Sequence, residues 1–158
     1  MTTYTATERR SHLLAAAGQG PAYAVKNLCS TIELAACSTK TINFGYIPSN
    51  ARILGSSRLY NDDLSNNAPT LDIGLGAVNG NLVQADDPAA IGNGFTLATA
   101  GSDVFIFSDK ANVGLPAWDL VASETSDPGG VLMVYGSVLD AATTVVGTIT
   151  LDMYYVLD

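Results

Sequence analysis

Between Thr144 and Asp158 apolar side chains recur at every second position. Ile149, Leu151, Met153, Tyr155 and Leu157 share one parity, and Thr148, Thr150 and Asp152 share the other. A period of two places each set on its own face of a strand, because successive side chains of an extended backbone point to opposite sides. No proline interrupts the run, as expected of a central strand, since Pro is confined to edges and bulges. The segment predicts a central strand whose apolar face must be covered by a second sheet.

The same signal recurs upstream. Ile32, Leu34 and Ala36 alternate with Thr31, Glu33 and Ala35, and Thr41–Tyr46 alternates again before a turn at Pro48-Ser49-Asn50. Arg52–Tyr60 reads as one strand, with Gly55-Ser56-Ser57 inside it, stopped by Asn61-Asp62-Asp63. Pro69 opens a strand with Leu71, Ile73 and Leu75 on one face, and Asn79-Gly80 is a tight-turn pair. Residues 81–101 are rich in Gly, Asp, Ala and Pro and read as a long connection, with room for a helical turn at Pro88–Ile91. Val104–Phe107 is compatible with a strand or part of a helix. Trp118–Ala122 reads as a strand or strand edge, Asp127–Gly130 as a turn, and Val131–Leu139 as a strong strand. Strands do not alternate with helices, which excludes a doubly wound sheet. The prediction is an all-β fold, an antiparallel β-sandwich or jelly roll of about seven to nine strands.

Residues 1–24 read differently. They are polar, then Ala-rich, then broken by Gly18, Gly20 and Pro21. Glu8–Ala17 is too short and polar for a stable isolated helix. We read 1–24 as an extended arm and 25–158 as a single β-sandwich domain, a division that fits one domain of 158 residues. The apolar stretch Leu13–Ala17 is shorter than the core of a secretory signal, and no run approaches the length of a membrane span.

Charge is sparse and uneven. Only 14% of residues are charged and the net charge is −8. Residues 1–58 hold six bases and two acids (+4), whereas 59–158 hold one base and thirteen acids (−12). An acidic body argues against nucleic acid as the partner. The acids either keep a lysine-poor surface soluble or leave the basic arm to contact an acidic protein surface. Arg9-Arg10 suits pairing with a partner's carboxylates.

No reaction chemistry emerges. The single histidine, His12, lies in the arm, and no G-x-S-x-G elbow exists. Gly74–Gly80 has G-x-G-x-x-x-G spacing with no following helix, and reads as a bulged strand entering a turn. Asp62-Asp63 and Asp86-Asp87 lack calcium-loop spacing and read as solvated loop acids. Cys29 and Cys37 have neither the second cysteine pair nor the histidines of a zinc site, and in one strand lie too far apart for a disulfide. We expect two mostly buried thiols, as in a reducing cytoplasm. Trp118 and the tyrosines are candidates for a sugar platform, although Tyr154 and Tyr155, being adjacent, must face opposite ways. No catalytic residue, metal ligand or cofactor is expected.

The order Lys26–Ala36, then Thr41-Ile42-Asn43-Phe44-Gly45-Tyr46-Ile47-Pro48-Ser49-Asn50-Ala51-Arg52-Ile53-Leu54, then Pro69–Leu75, then Gly147–Asp158 resembles small virion proteins of tailed bacteriophages. The resemblance spans roughly residues 25–158 and rests on short motifs. It implies a capsid decoration or cement protein on the outer shell, homo-oligomeric and commonly trimeric, assembled in the host cytoplasm and partnered by the major capsid protein. It implies no enzyme activity, nucleic acid or membrane. The arm, with Tyr4, Arg9, Arg10, Leu13, Leu14 and Tyr23, is then the expected contact with neighbouring capsomers. The other readings that fit are a carbohydrate-binding head or tail-fibre module and a tail or connector component.

Overall fold

A computed structural model describes residues 2–5, 24–34, 40–64, 69–78, 82, 86–122, 124–139 and 146–157. The described residues hold ten strands: β1 (Thr2–Thr5), β2 (Lys26–Leu34), β3 (Lys40–Pro48), β4 (Ala51–Ile53), β5 (Arg58–Asn61), β6 (Thr70–Gly76), β7 (Asp86–Thr96), β8 (Gly101–Phe105), β9 (Val131–Leu139) and β10 (Gly147–Leu157). They form two sheets. The first has the order β1-β3-β9-β6-β7, and the second β2-β10-β5-β8, with β4 also on β10. The pairings are nested: β6 with β7, β5 with β8, β3 with β9, β2 with β10, all antiparallel. Successive pairs of this rolled-up hairpin fall in alternate sheets, which is the jelly-roll arrangement. The all-β sandwich expected from the alternation is the observed fold.

β10 is central, flanked by β2 on one side and by β4 and β5 on the other. Ile149, Leu151 and Met153 are fully buried and Tyr155 nearly so. The opposite sheet meets them with Ile42, Phe44 and Ile47 of β3, Leu71, Ile73 and Leu75 of β6, and Leu132, Val134 and Val138 of β9. In β3 the alternation slips. Asn43 lies opposite Tyr135 and Gly45 opposite Val134, so Phe44 is an extra residue. This bulge, turning at Gly45 (φ +139°), sends Ile47 inward and leaves Tyr46 exposed.

Three segments depart from the sequence reading, and a fourth, left open there, is resolved. Arg52–Tyr60 is two strands, β4 and β5, in one row along β10, with 54–57 looped out between them. The side chain of Ser57 replaces the missing ladder. Its hydroxyl donates to the Leu54 carbonyl (2.8 Å) and accepts from the Tyr154 N–H (2.9 Å). Ser57 is completely buried, so its loss strands an amide. Ser57→Ala is expected to cost about 1–3 kcal/mol, seen as a lower urea midpoint at unchanged slope.

Pro88–Ile91 is not a helical turn, because residues 86–96 are strand β7. β7 is an edge strand with register shifts against β6, and an edge accepts proline and glycine. Trp118 lies in a 3-10 turn, Ala117–Leu120, rather than a strand. Its N–H donates to the Ser49 carbonyl, and Ala117 and Val121 are buried beneath the turn. Val104–Phe107 resolves as the end of β8 followed by two buried residues, Ile106 and Phe107.

Candidate interaction surface

Of the arm residues expected to make contacts, Tyr4 lies in β1, with its backbone in register with Ile42. Arg9, Arg10, Leu13, Leu14 and Tyr23 lie outside the described residues, as do Cys37 and the Asn79-Gly80 turn. The surfaces that can be built from side chains are the two outer faces of the sandwich.

The outer face of the β10 sheet is polar and internally bonded. Its residues are those of the second parity on β10 and their cross-strand partners. Thr150 pairs with Thr31 through their hydroxyls at 3.0 Å. The Thr148 hydroxyl donates to Glu33 (2.7 Å), and the Thr148 N–H donates to Asp62 (2.9 Å). Asp152 accepts from the Asn27 amide and from the Tyr154 hydroxyl. The bond to Asp152, followed by burial, raises the Tyr154 pKa. Cys29, half-buried, sits opposite Asp152. At the sheet's far side Arg58 lies 5.7 Å from the Phe105 ring centroid, across from it in register. A shallow depression of about 130 Å³ is lined by Tyr60, Asn61, Asp62, Thr148 and Thr150. Carboxylates and hydroxyls of this face are largely bonded to one another and to neighbouring backbone.

The outer face of the β9 sheet differs from end to end. At one end Tyr46 and Pro48 of β3 stand opposite Met133 and Val131 of β9. Tyr46 is 46% and Val131 41% exposed, so this is an apolar strip open to solvent. The Tyr46 hydroxyl accepts from the Asn43 amide (3.1 Å), while the Asn43 oxygen accepts from the Gly45 N–H (2.9 Å). One buried asparagine therefore fixes both the bulge and the ring. The strip escapes sequence reading, because plain alternation puts Tyr46 on the same face as Phe44. The bulge signal was present only as Gly45 between two aromatics.

Further along the same face Tyr135 is nearly buried beside an acidic group. Burial first, and then the charges of Asp86, Asp87 and Asp72, hold its phenol well above the ordinary value of 10. Two of these acids also accept hydrogen bonds from neighbouring backbone. Asp72 accepts from the Gly94 N–H (2.8 Å), and Asp87 accepts from the Ala122 N–H (3.2 Å). A phenol whose folded pKa is raised contributes stability that is complete below the unfolded pKa and is lost as pH climbs from about 10 through the folded value. Tyr135→Phe is expected to flatten that alkaline loss. Melting temperatures of the two proteins between pH 9 and 11.5 check this, and parallel curves would refute it.

The remaining sequence candidates take structural positions. Gly74 and Gly76 belong to β6, as a bulged strand should. Trp118 packs against the core, and Tyr155 points inward while Tyr154 points out, so no aromatic platform assembles from these three. Among the described residues no three His, Cys, Asp or Glu side chains gather as metal ligands. No described helix is long and apolar enough to cross a membrane.

The chain matches no protein-family model, and no curated protein aligns with it in sequence. Solved structures do resemble it. A chain from the capsid of Ralstonia phage GP4 superposes with a TM-score of 0.63 at 21% identity, over 99% of this chain and 99% of that one. A chain from the cyanophage Pam1 capsid asymmetric unit gives 0.57 at 22% identity, over 92% of this chain and 93% of that one. At these identities the likeness is one of fold, and it runs nearly end to end in both cases.

Proposed function

We propose that this chain is a non-enzymatic virion protein that binds and stabilises the outside of a bacteriophage capsid. The observation that carries the reading is the end-to-end likeness to chains taken from two phage capsids, over almost the full length of each. The sequence resemblance to small decoration proteins supports the same role. The surface chemistry suits it as well. One face is a self-bonded polar plate, the other carries an open apolar strip, and the chain is poor in Lys and Glu, the residues depleted where proteins meet. On the shell the body sits against the major capsid protein, and the arm, with Arg9 and Arg10, pairs with a neighbour's acids. Many copies multiply modest contacts.

The test uses particles stripped of this protein and purified chain added back. Binding to assembled shells, many copies per particle and none to free shell subunits, is the expected result. A few copies at a single vertex would overturn the decoration reading in favour of a tail or connector part. Deleting residues 2–24 is expected to weaken attachment about tenfold, ~1.4 kcal/mol, while the body stays folded. Replacing Arg9 and Arg10 by alanine is expected to weaken it less, with the larger loss at low salt. Undiminished binding of the deletion would remove the arm from the mechanism.

A further inference from the structure

β1 is held unlike any other described strand. It pairs in parallel with β3, from Thr2 opposite Lys40 to Thr5 opposite Asn43. All other strand pairings among the described residues are antiparallel. A parallel partner cannot arrive through a tight turn and needs a connection of about a dozen residues or more. Here 34 residues, β2 among them, lie between Thr5 and Lys40, and 20 of them separate Thr5 from Lys26.

The place that β1 fills is defined by β3. On the side away from β9, Lys40–Asn43 offer a row of backbone donors and acceptors. The row ends where the bulge bends the strand, and Asn43 locks that bend through Gly45 and Tyr46. A bulge at an edge terminates pairing. The result is a slot four residues long with a built end, filled through backbone pairing with a segment of β-forming residues, Thr-Thr-Tyr-Thr.

We propose that this slot takes the β1 strand of a second copy, so that copies of the chain are tied together by exchanged N-terminal strands. An identical segment makes the same register, so exchange sacrifices no contact. The 20 intervening residues reach about 70 Å when extended, against a body about 40 Å across. Pairing within one chain is favoured only by an effective concentration of millimolar order. Copies held side by side supply a comparable concentration, and exchange then proceeds. The inference concerns self-association and holds wherever the assembly sits, so its failure leaves the capsid reading standing.

The test uses two variants of the full chain, Thr3→Cys and Thr41→Cys, in a Cys29→Ser, Cys37→Ser background, one of them mass-tagged at its C-terminus. Cα atoms on neighbouring strands lie about 5 Å apart, within disulfide range. The two are mixed at high concentration, unfolded and refolded together, oxidised, and run on a non-reducing gel. A mixed dimer carrying one tag is expected, absent when Thr3→Cys is mixed with Ser137→Cys. A Thr3→Cys, Thr41→Cys double variant that links only within one chain, with no mixed dimer from the single variants, would overturn the proposal. So would the absence of any link. The pair Thr2→Cys and Lys40→Cys repeats the measurement should either first variant fold poorly.

Discussion

Gly74→Val is expected to lower the melting temperature by roughly 6–12 °C or to prevent folding altogether. Gly74 lies on β6 with its outer side against β7. A Cβ there would stand 2.1 Å from the Asp87 carbonyl oxygen and 2.6 Å from backbone atoms of Pro88. Both obstacles are main chain, so no side-chain rotation relieves them. β7 must lift away from β6, and the Asp87 bond to Ala122, together with the buried Ala90 and Ile91, goes with it. Overpacking against backbone costs about 3 kcal/mol or more, and each kcal/mol shifts the midpoint by about 2–4 °C in a chain of this size. Ala89→Val, an exposed position on the same strand, is the control and should stay within about 0.5 kcal/mol. A Gly74→Val protein that melts with the parent would show that β7 does not lie as described.

Phe44→Ala is expected to cost about 3–5 kcal/mol, the range for removing a buried aromatic side chain. Phe44 is the extra residue of the bulge, and its ring is fully buried between the sheets. Two effects combine. The folded state loses the free energy gained by keeping the ring's apolar area out of water, and the hole it leaves is walled by strands that cannot collapse without breaking ladders. Phe44→Leu keeps most of the volume and should lose about 1–2 kcal/mol. Chemical denaturation of the three proteins ranks them. Equal midpoints for Phe44→Ala and the parent would mean that the ring does not fill the core.

The parts of the fold that were legible are those in which one period ran uninterrupted. β9 keeps the bounds Val131–Leu139 read from sequence, and β10 keeps its buried parity from Ile149 to Tyr155. Leu71, Ile73 and Leu75 behave the same way. Failures fall where backbone irregularity carries the structure. β7 looks like a loop, since Asp-Asp-Pro-Ala-Ala-Ile-Gly-Asn-Gly contains most of what a strand avoids. Such a segment joins a sheet only at an edge and only with register shifts, and neither is written in local composition. The break between β4 and β5 depends on one serine substituting for a ladder bond from a residue 97 positions away. β1 gave no signal beyond four β-tolerant residues, because its partner is in distant sequence. The apolar strip was hidden by the β3 bulge. Of the contact residues read from the arm, the described structure reaches only the backbone of Tyr4.

The nesting of the strand pairs has a kinetic consequence. β6 and β7 close first on grounds of chain entropy, since only nine residues separate them. The outermost pair joins Ile32 to Ile149, 117 positions apart, and waits for everything between. A topology dominated by such distant contacts folds in milliseconds to seconds rather than microseconds. The landing site for β1 exists only once β3 has found β9. Until then the N-terminal segment of a newly made copy has no partner within its own chain, and it can enter a neighbour whose β3 edge has formed and is not yet filled. The order of closure therefore gives assembling copies an interval in which to interlock, and chains that fold far apart no such opportunity.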